Sequence, residues 1–200
     1  MKVVLASQNQ GKLREMQAIL GGFGFEVVLE KELGLNIDVE ETGTTFEENS
    51  LLKAQAVMQA SGLPTVADDS GIVVDALGGA PGVYSARYGG LGSDEERLYF
   101  LLENMKDVPE EQRTARFVSV ITMLIPGHAP LVARGECEGI ITHAPAGDGG
   151  FGYDPIFYSP EEGMTFSQIS SQRKNQISHR ARALFRLEEL LRQEGFHADK

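Results

Sequence analysis

Apolar residues follow two kinds of pattern along this chain. Short apolar or alternating runs predict strands at residues 3–6, 25–29, 64–67, 72–74, 116–125, 131–133 and 139–142. Apolar positions at helical spacing predict helices at residues 12–20, from 44 or 45 towards 62, from 93 to 105 and from 178 to 194. Capping-box patterns mark the starts of the second and third of these helices: Thr44 with Glu47 or Thr45 with Glu48, and Ser93 with Glu96. Because strands and helices are mixed, with a β-meander in the middle, the pattern predicts an α/β fold around a mixed sheet.

Two acidic residues stand in the segment Ala67-Asp68-Asp69-Ser70-Gly71, which the pattern predicts to be a turn between two strands. Adjacent strand residues point to opposite faces, so we expect at most one of the two carboxylates to enter a given site. Carboxylate oxygens suit magnesium, which usually takes one or two protein carboxylates together with phosphate oxygens and waters. Glu40 and Glu41 are the candidates for a second ligand. A turn of the Asp-Gly type explains the segment equally well.

The segment Ser7-Gln8-Asn9-Gln10-Gly11-Lys12 lies where the first predicted strand gives way to the first predicted helix. Free backbone N–H groups and the helix dipole favour an anion at such a place. Ser7, Asn9 and Lys12 add hydroxyl, amide and ammonium donors for a phosphate group. The segment is not a Walker A loop, because the preceding glycine is absent. An ordinary loop that caps the helix is the simpler interpretation of this segment alone.

Glycine dominates residues 144–154, here called the glycine loop, and this composition predicts a binding loop. Part of it, Gly147-Asp148-Gly149-Gly150-Phe151-Gly152, matches the dinucleotide fingerprint, but no helix follows and no acidic residue lies at the expected offset. We expect instead that Phe151 stacks on a base and that Asp154 accepts a hydrogen bond from the base edge. A core aromatic beside a tight turn is the alternative.

A basic group introduces the last predicted helix of an otherwise acidic chain. Lys174, His179 and Arg180 are donors suited to phosphates or to a base carbonyl oxygen. The alternative is a solvated helix face whose arginines pair with nearby glutamates. It accounts better for Arg182 and Arg186, further along the helix, than for the residues at its start.

Charge and composition limit the possible functions. The 200 residues, 42% of them hydrophobic, are enough for one sizeable core, and we expect a single domain over residues 1–200. A net charge of -11 disfavours nucleic acid or an anionic membrane as partner. Cys137 is the only cysteine, which excludes an intrachain disulfide, and we expect it to be buried. No apolar run suits a signal peptide or approaches the roughly 20 residues that span a bilayer, so we expect a cytoplasmic protein.

Several motifs, taken together and in order, resemble the inosine triphosphate pyrophosphatase family, whose bacterial members are nonstandard purine nucleoside triphosphate pyrophosphatases. The motifs are Ser7-x-Asn9-x-x-Lys12, Glu40-Glu41-Thr42-Gly43-x-x-Phe46-x-Glu48-Asn49, Ala67-Asp68-Asp69-Ser70-Gly71, Gly79-Ala80-Pro81-Gly82-x-Tyr84-Ser85-Ala86-Arg87, Gly150-Phe151-Gly152-Tyr153-Asp154-Pro155 and Ser178-His179-Arg180. They run from residue 7 to residue 180, so the resemblance covers nearly the whole chain.

The resemblance implies an elongated, two-lobed α/β protein with a central mixed sheet, flanking helices and an active cleft between the lobes, usually as a homodimer. It implies that Asp69 is the general base and a Mg2+ contact, with Glu40, ahead of Glu41, as the partner ligand. The implied triphosphate contacts are Ser7, Gln8, Asn9, Gln10, Gly11, Lys12, Lys53 and Ser70. The implied base contacts are Phe151, Gly152, Tyr153, Asp154, Lys174, His179 and Arg180.

By this resemblance, water activated at Asp69 attacks the α-phosphorus of a magnesium–nucleotide complex and releases a nucleoside monophosphate and pyrophosphate. Hydrogen bonds from His179 and Arg180 to a 6-oxo group favour the bases of ITP, dITP and XTP over adenine. Two alternatives stay open: a pyrophosphatase for modified pyrimidine triphosphates, and a regulator that binds a triphosphate without cleaving it. The glycine loop argues against the first, and the carboxylates Glu40 and Asp69 argue against the second.

Overall fold

The computed structural model describes residues 1–197 as a mixed β-sheet with helices packed against it. The strands are β1 Lys2–Leu5, β2 Glu26–Leu29, β3 Thr65–Val74, β4 Thr114–Leu124, β5 Leu131–Ile141, β6 Phe157–Ser159 and β7 Met164–Thr165. The helices are α1 Gln10–Leu20, α2 Phe46–Ser61, α3 Asp94–Asn104, α4 Ser171–Ile177 and α5 His179–Gln193. The strand order is β2-β1-β3-β4-β5-β6-β7. β1 pairs in parallel with β2 and β3, and β6 pairs antiparallel with β5 and β7, so the predicted α/β fold with a mixed sheet is confirmed.

The chain folds into two compact units. The first comprises Met1–Asp69, Ser119–Gly135 and the chain from Arg182 onward. The second comprises Ser70–Val118 and Glu136–Ala181. Because β3, β4 and β5 each pass a unit boundary, each of these strands contributes residues to both units.

The first unit buries apolar side chains on both faces of β1 and β2. One face shares a core with α1 and α5. This core includes Val3, Leu5, Val27, Leu29, Met16, Leu20, Leu184, Leu187 and Leu191. On the other face, Val4 and Val28 pack against Val57 of α2. Since helices cover both faces, these strands read as continuous apolar runs in the sequence.

The second unit has an aromatic core. The ring of Phe117 lies 4.4 Å from that of Phe157 and 5.7 Å from that of Phe166, measured between centroids. Ile72 and Val74, from the second half of β3, belong to the same core. The apolar packing therefore holds β3 in place beyond its acidic residues.

The prediction of a turn at residues 67–71 is wrong, because Thr65–Val74 form one continuous strand, β3. Gly71 lacks the positive φ that the glycine of an Asp-Gly turn adopts. Asp68 and Asp69 are buried within the strand, and each accepts a hydrogen bond from a lysine. With these cationic partners, the carboxylates need no exposed turn to keep their charge.

The separate strands predicted at 131–133 and 139–142 are also one strand, β5. Side chains along it alternate between buried and exposed positions, with Ala133 and Cys137 buried and Arg134 and Glu138 exposed. The charged residues therefore lie on the outer face and leave the strand uninterrupted, because successive side chains point to opposite faces. The predicted burial of Cys137 is confirmed.

Two helix starts form the capping boxes that the sequence predicts. Thr45, rather than Thr44, caps α2, and its hydroxyl accepts a hydrogen bond from the backbone N–H of Glu48 at 3.1 Å. Ser93 caps α3 with Glu96 in the same arrangement. Among residues 1–197, every helix is too short or too polar to cross a membrane.

The sequence pattern did not reveal β6, β7, α4 or the 3₁₀ segment Gly82–Gly90. β6 and β7 have only three and two residues, and α4 and the 3₁₀ segment, at most nine residues long, are too short to show a helical period. Their absence from the prediction matters because α4 carries Lys174.

Arg113 fixes the end of the central strands in the second unit. Its guanidinium is buried and donates to the backbone carbonyls of Ile141 at 2.7 Å, Met105 at 2.7 Å and Thr142 at 3.0 Å. Burial lowers the pKa of the guanidinium, although the charge of nearby Glu110 opposes this shift. The carbonyl acceptors therefore have one shared donor, and they lose it together if the guanidinium is removed.

Replacing Arg113 with Met should lower the free energy of unfolding by about 3 kcal/mol, because several buried carbonyls lose their donor. Denaturant unfolding followed by circular dichroism measures the change. Arg116→Met is the matched control, since its partners Asp75 and Glu138 are exposed and its loss should cost less than about 1 kcal/mol. Equal unfolding free energies for the two variants would contradict the assigned role of Arg113.

Candidate active site

The first half of β3 carries two neighbouring carboxylates with different lysine partners. Lys12 of α1 donates to Asp68 Oδ1 at 2.8 Å, and the Asp68 side chain is 1% exposed. Lys53 of α2 donates to Asp69 Oδ1 at 3.1 Å. Strand geometry predicts that the two carboxylates point to opposite faces of β3. Their partners agree with this, because each carboxylate accepts a hydrogen bond from a lysine of a different helix.

Lys53 also joins a third carboxylate to this group. Its ammonium donates to Glu41 Oε1 at 2.7 Å, so it bridges Glu41 and Asp69. Glu40, the neighbouring residue and the preferred metal ligand in the sequence analysis, is exposed. Its role as a ligand stays a prediction. The five residues of these ion pairs are called the lysine–carboxylate cluster: Lys12, Lys53, Glu41, Asp68 and Asp69.

Burial sets the proton affinity of Asp69. Removal from water raises the pKa of its carboxyl above the usual value, and the Lys53 ammonium opposes that rise. For Lys53 the balance is different: burial alone lowers the pKa of the ammonium, but Asp69, Glu41 and Asp68 together raise it above its usual value. Lys53 therefore stays charged, and the affinity of the Asp69 carboxylate for a proton is increased.

One oxygen of Asp69 is suited to a metal ion. Its Oδ2 is buried and has no hydrogen-bond partner in the described residues, while Oδ1 is bonded to Lys53. Among residues 1–197 no three His, Cys, Asp or Glu side chains converge as a ready metal site. In enzymes that act on nucleotides, Mg2+ usually takes one or two protein carboxylates and completes its shell with phosphate oxygens and water.

Asn49 is a polar neighbour of Asp69 to which the sequence analysis gave no role. Its amide favours the ionised form of Asp69, which opposes the rise of the carboxyl pKa. Asn49 Oδ1 accepts the backbone N–H of Gly43 at 2.8 Å, and a Cβ on Gly43 would lie only 2.6 Å from that oxygen. Gly43 and Asn49 both belong to the motif from Glu40 to Asn49, which was the sequence signal for them.

The segment from Ser7 to Lys12 caps α1, as the simpler interpretation predicted. Asn9 Oδ1 accepts the backbone N–H groups of Gly11 at 2.7 Å and Lys12 at 3.2 Å. Ser7 Oγ accepts the N–H of Asn9 at 3.1 Å, and Gln8 donates to the buried Glu30 at 2.7 Å. Gln10 is exposed at the start of α1. Phosphate binding by this segment stays a prediction.

The tip of the glycine loop is shaped by Asp154 and Lys174. Asp154 Oδ2 accepts the backbone N–H of Phe151 at 2.9 Å and is also bonded to the Lys174 ammonium. Gly150 has φ of 76°, and a Cβ there would lie 2.2 Å from the same carboxylate oxygen. Asp154 therefore holds the loop closed in this structure, and its contact with a base stays a prediction.

Phe151 is the most exposed aromatic side chain that the structure describes, at 63%. The Lys174 ammonium lies 4.8 Å from its ring centroid, within the range of a cation–π interaction. A base can stack on an exposed ring of this kind. Gly152, next to it, donates its N–H to Asp94 at 3.0 Å, which ties the loop to the start of α3.

Tyr153 points inward, unlike Phe151. It is 6% exposed within the aromatic core, and its hydroxyl donates to the backbone carbonyl of Ser85 at 2.8 Å. Burial raises the pKa of this hydroxyl well above its usual value. The hydroxyl therefore stays protonated, and its hydrogen bond to Ser85 holds the loop in place.

His179 and Arg180 begin α5, and Lys174 belongs to the separate helix α4. The His179 ring is buried and stacks on Phe117, with centroids 4.9 Å apart and planes 18° from parallel. Arg180 is half-buried, as is Ser70 on β3. Further along α5, Arg186 pairs with Glu189 at 2.6 Å on the surface. The solvated-face interpretation is thus right for Arg186, while the start of the helix is packed into the protein.

Known proteins resemble this chain over nearly its whole length. Residues 3–190 match the model of the Ham1 family. The dITP/XTP pyrophosphatase of Shigella flexneri is 52% identical over 196 residues, which cover 96% of this chain and 98% of that protein. The dITP/XTP pyrophosphatase of Escherichia coli strain K12 is 51% identical over the same shares of both chains.

Solved structures agree with the sequence comparison. The Ham1 protein of Staphylococcus aureus superposes with a TM-score of 0.91 at 43% identity, covering 97% of this chain and 100% of that one. A HAM1 protein from Coxiella burnetii gives 0.90 at 42% identity, covering 96% and 99%. Family match, relatives and fold agree, and they confirm the resemblance seen in the motifs: this chain belongs to the Ham1 family.

Proposed function

We propose that this protein hydrolyses nonstandard purine nucleoside triphosphates, namely ITP, dITP and XTP, to the monophosphate and pyrophosphate, and so removes them from the nucleotide pool. The observation that carries the proposal is the buried Asp69, which lies beside Lys53 in a chain about half identical to dITP/XTP pyrophosphatases. A buried carboxylate with a free oxygen suits both proton abstraction from water and contact with a metal ion.

The charge of the lysine–carboxylate cluster supports a requirement for magnesium. Three carboxylates outnumber two lysines, so the cluster on its own repels a triphosphate when all its groups are ionised. We propose Asp69 as one Mg2+ ligand, with Glu40, the predicted partner, or Glu41 as the other. Magnesium, when bound, supplies positive charge that neutralises the triphosphate and the leaving pyrophosphate.

The residues of this chain then have distinct tasks in the reaction. Asp69 accepts a proton from the water that attacks the α-phosphorus. Lys53 and Lys12 hold phosphate oxygens, helped by Ser70 and by the segment 7–12 at the start of α1. Their positive charges also stabilise the negative charge that moves towards the leaving group.

Base recognition falls to residues of the second unit. Phe151 offers an exposed ring for stacking, with Lys174 on its other side. His179 and Arg180 donate to the 6-oxo oxygen of hypoxanthine or xanthine, where adenine has an amino group. Gly152, Tyr153 and Asp154 complete the base pocket, and their hydrogen bonds also hold the loop in place. A site built on such donors rejects the wrong group because its own polar atoms are left unpaired.

The location and assembly that we propose follow the family resemblance. We infer a cytoplasmic homodimer that has neither a nucleic acid nor a membrane as partner. The net charge of -11 supports the last point, since an acidic surface repels both kinds of polyanion.

The function is tested by incubating the protein with Mg2+ and the triphosphates of inosine, xanthosine, adenosine, guanosine and thymidine, and by measuring pyrophosphate and orthophosphate separately. Pyrophosphate from the inosine and xanthosine substrates supports the proposal. Orthophosphate alone contradicts it. Binding without turnover favours a regulator that binds a triphosphate without cleaving it. Preferential cleavage of the thymidine substrate favours a pyrophosphatase for modified pyrimidine triphosphates.

Asp69→Asn should lower kcat for ITP by about 1,000-fold, because the amide cannot accept the proton of the attacking water. Pyrophosphate release measures the loss, and the melting temperature checks that the variant folds. Asp75→Asn is the matched control, because Asp75 follows β3 immediately but lies outside the lysine–carboxylate cluster and bonds to Thr114 and Arg116. A wild-type rate in Asp69→Asn would remove Asp69 from the mechanism.

Arg180→Met should lower kcat/KM for ITP by about 10- to 100-fold and change that for ATP little, because only the 6-oxo base loses a charged donor. Steady-state kinetics with both substrates gives the ratio. Arg186→Met, on the exposed face of the same helix, should retain the wild-type ratio. If both variants keep that ratio, Arg180 does not read the base.

A further inference from the structure

Ser85 makes hydrogen bonds to three separate parts of the second unit. It lies in the 3₁₀ segment Gly82–Gly90 and is 6% exposed. Its Oγ accepts the backbone N–H of Ile72 at 2.9 Å and donates to the carbonyl of Gly82 at 2.7 Å. Its own carbonyl accepts the Tyr153 hydroxyl at 2.8 Å. One residue therefore connects β3, the 3₁₀ segment and the glycine loop.

On the side of β3, Ser85 supports the strand close to its acidic residues. Ile72 is fully buried and lies three residues after Asp69 on the same strand. A buried N–H without an acceptor is costly, and the serine hydroxyl supplies that acceptor. The chain on either side is joined as well, because Val73 and Pro81 form an antiparallel bridge. The position of the strand after Asp69 thus depends on the segment that contains Ser85.

On the side of the glycine loop, Tyr153 is the buried anchor. It stands between Phe151, the exposed stacking ring, and Asp154, which closes the loop. A buried tyrosine hydroxyl requires a hydrogen-bond partner, and here the partner is the Ser85 carbonyl. Movement of the loop therefore disturbs Ser85, and movement of Ser85 disturbs the loop.

We propose that Ser85 is a positioning residue that holds the glycine loop, through Tyr153, and the second half of β3, through Ile72, in one fixed arrangement within the second unit. The inference rests on the proposed function, because it assigns the loop to base recognition. Neither Ser85 nor the Tyr153 hydroxyl touches the substrate in this role. Loss of either hydrogen bond displaces the loop that receives the base, and small displacements of this kind are costly for catalysis.

Hydrogen–deuterium exchange tests the link without relying on activity. Ser85→Ala and Tyr153→Phe should each raise the exchange rate about 10-fold in two peptides, those covering residues 70–74 and 147–154, because the bonds that protect them open together. Ser159→Ala is the matched control: this buried serine of β6 also accepts a backbone N–H, from Glu162 at 3.3 Å, and its loss should leave both peptides unchanged. The proposal would be overturned if Ser85→Ala changed exchange only in residues 70–74 and Tyr153→Phe changed it only in residues 147–154.

Kinetics gives the second readout. Each variant should lose about 10-fold in the ratio of kcat/KM for ITP to that for ATP. The double variant should lose no more than the single ones, because both act through one connection. An unchanged ratio, or a double loss equal to the product of the single losses, contradicts the proposal. A wild-type protein that releases no pyrophosphate contradicts the proposed function instead, and the exchange rates still decide the role of Ser85.

Discussion

Two adjacent aspartates buried in one strand are the constraint on which this structure depends. Asp68 and Asp69 point to opposite faces of β3, and an isolated buried carboxylate is expensive unless it is paired. Lys12 reaches the first from α1 and Lys53 reaches the second from α2. The two helices therefore have to pack beside β3 at fixed distances, and the parallel strands β1 and β2 provide the apolar surface that makes this possible.

The same pairing determines the chemistry of the site. Lys53 is shared between Glu41 and Asp69, and one oxygen of Asp69 stays without a hydrogen-bond partner in the described residues. A fully satisfied ion pair would be inert. The incomplete pairing leaves Asp69 as a buried carboxylate with increased affinity for a proton, which water activation requires, and with one oxygen suited to a metal ion.

The sequence predicted the elements that have a clear local signal and missed those that depend on distant contacts. The apolar runs of β1 and β2 and the capping boxes at Thr45 and Ser93 were sufficient for prediction. The continuity of β3 could not be predicted from local pattern, because a strand that buries two aspartates depends on ion pairs with Lys12 and Lys53, which are distant in the sequence. Motif order pointed to the candidate site residues. No local pattern showed that Lys53 bridges two carboxylates.

The central claim is that water prepared at Asp69 attacks the α-phosphorus, and isotope labelling tests it most directly. ITP is hydrolysed by the protein and Mg2+ in water enriched in the heavy isotope ¹⁸O, and the products are separated and analysed by mass spectrometry or ³¹P NMR. The account predicts that the isotope appears in inosine monophosphate and is absent from pyrophosphate. Label found in the pyrophosphate would place the attack on the β-phosphorus and contradict the account.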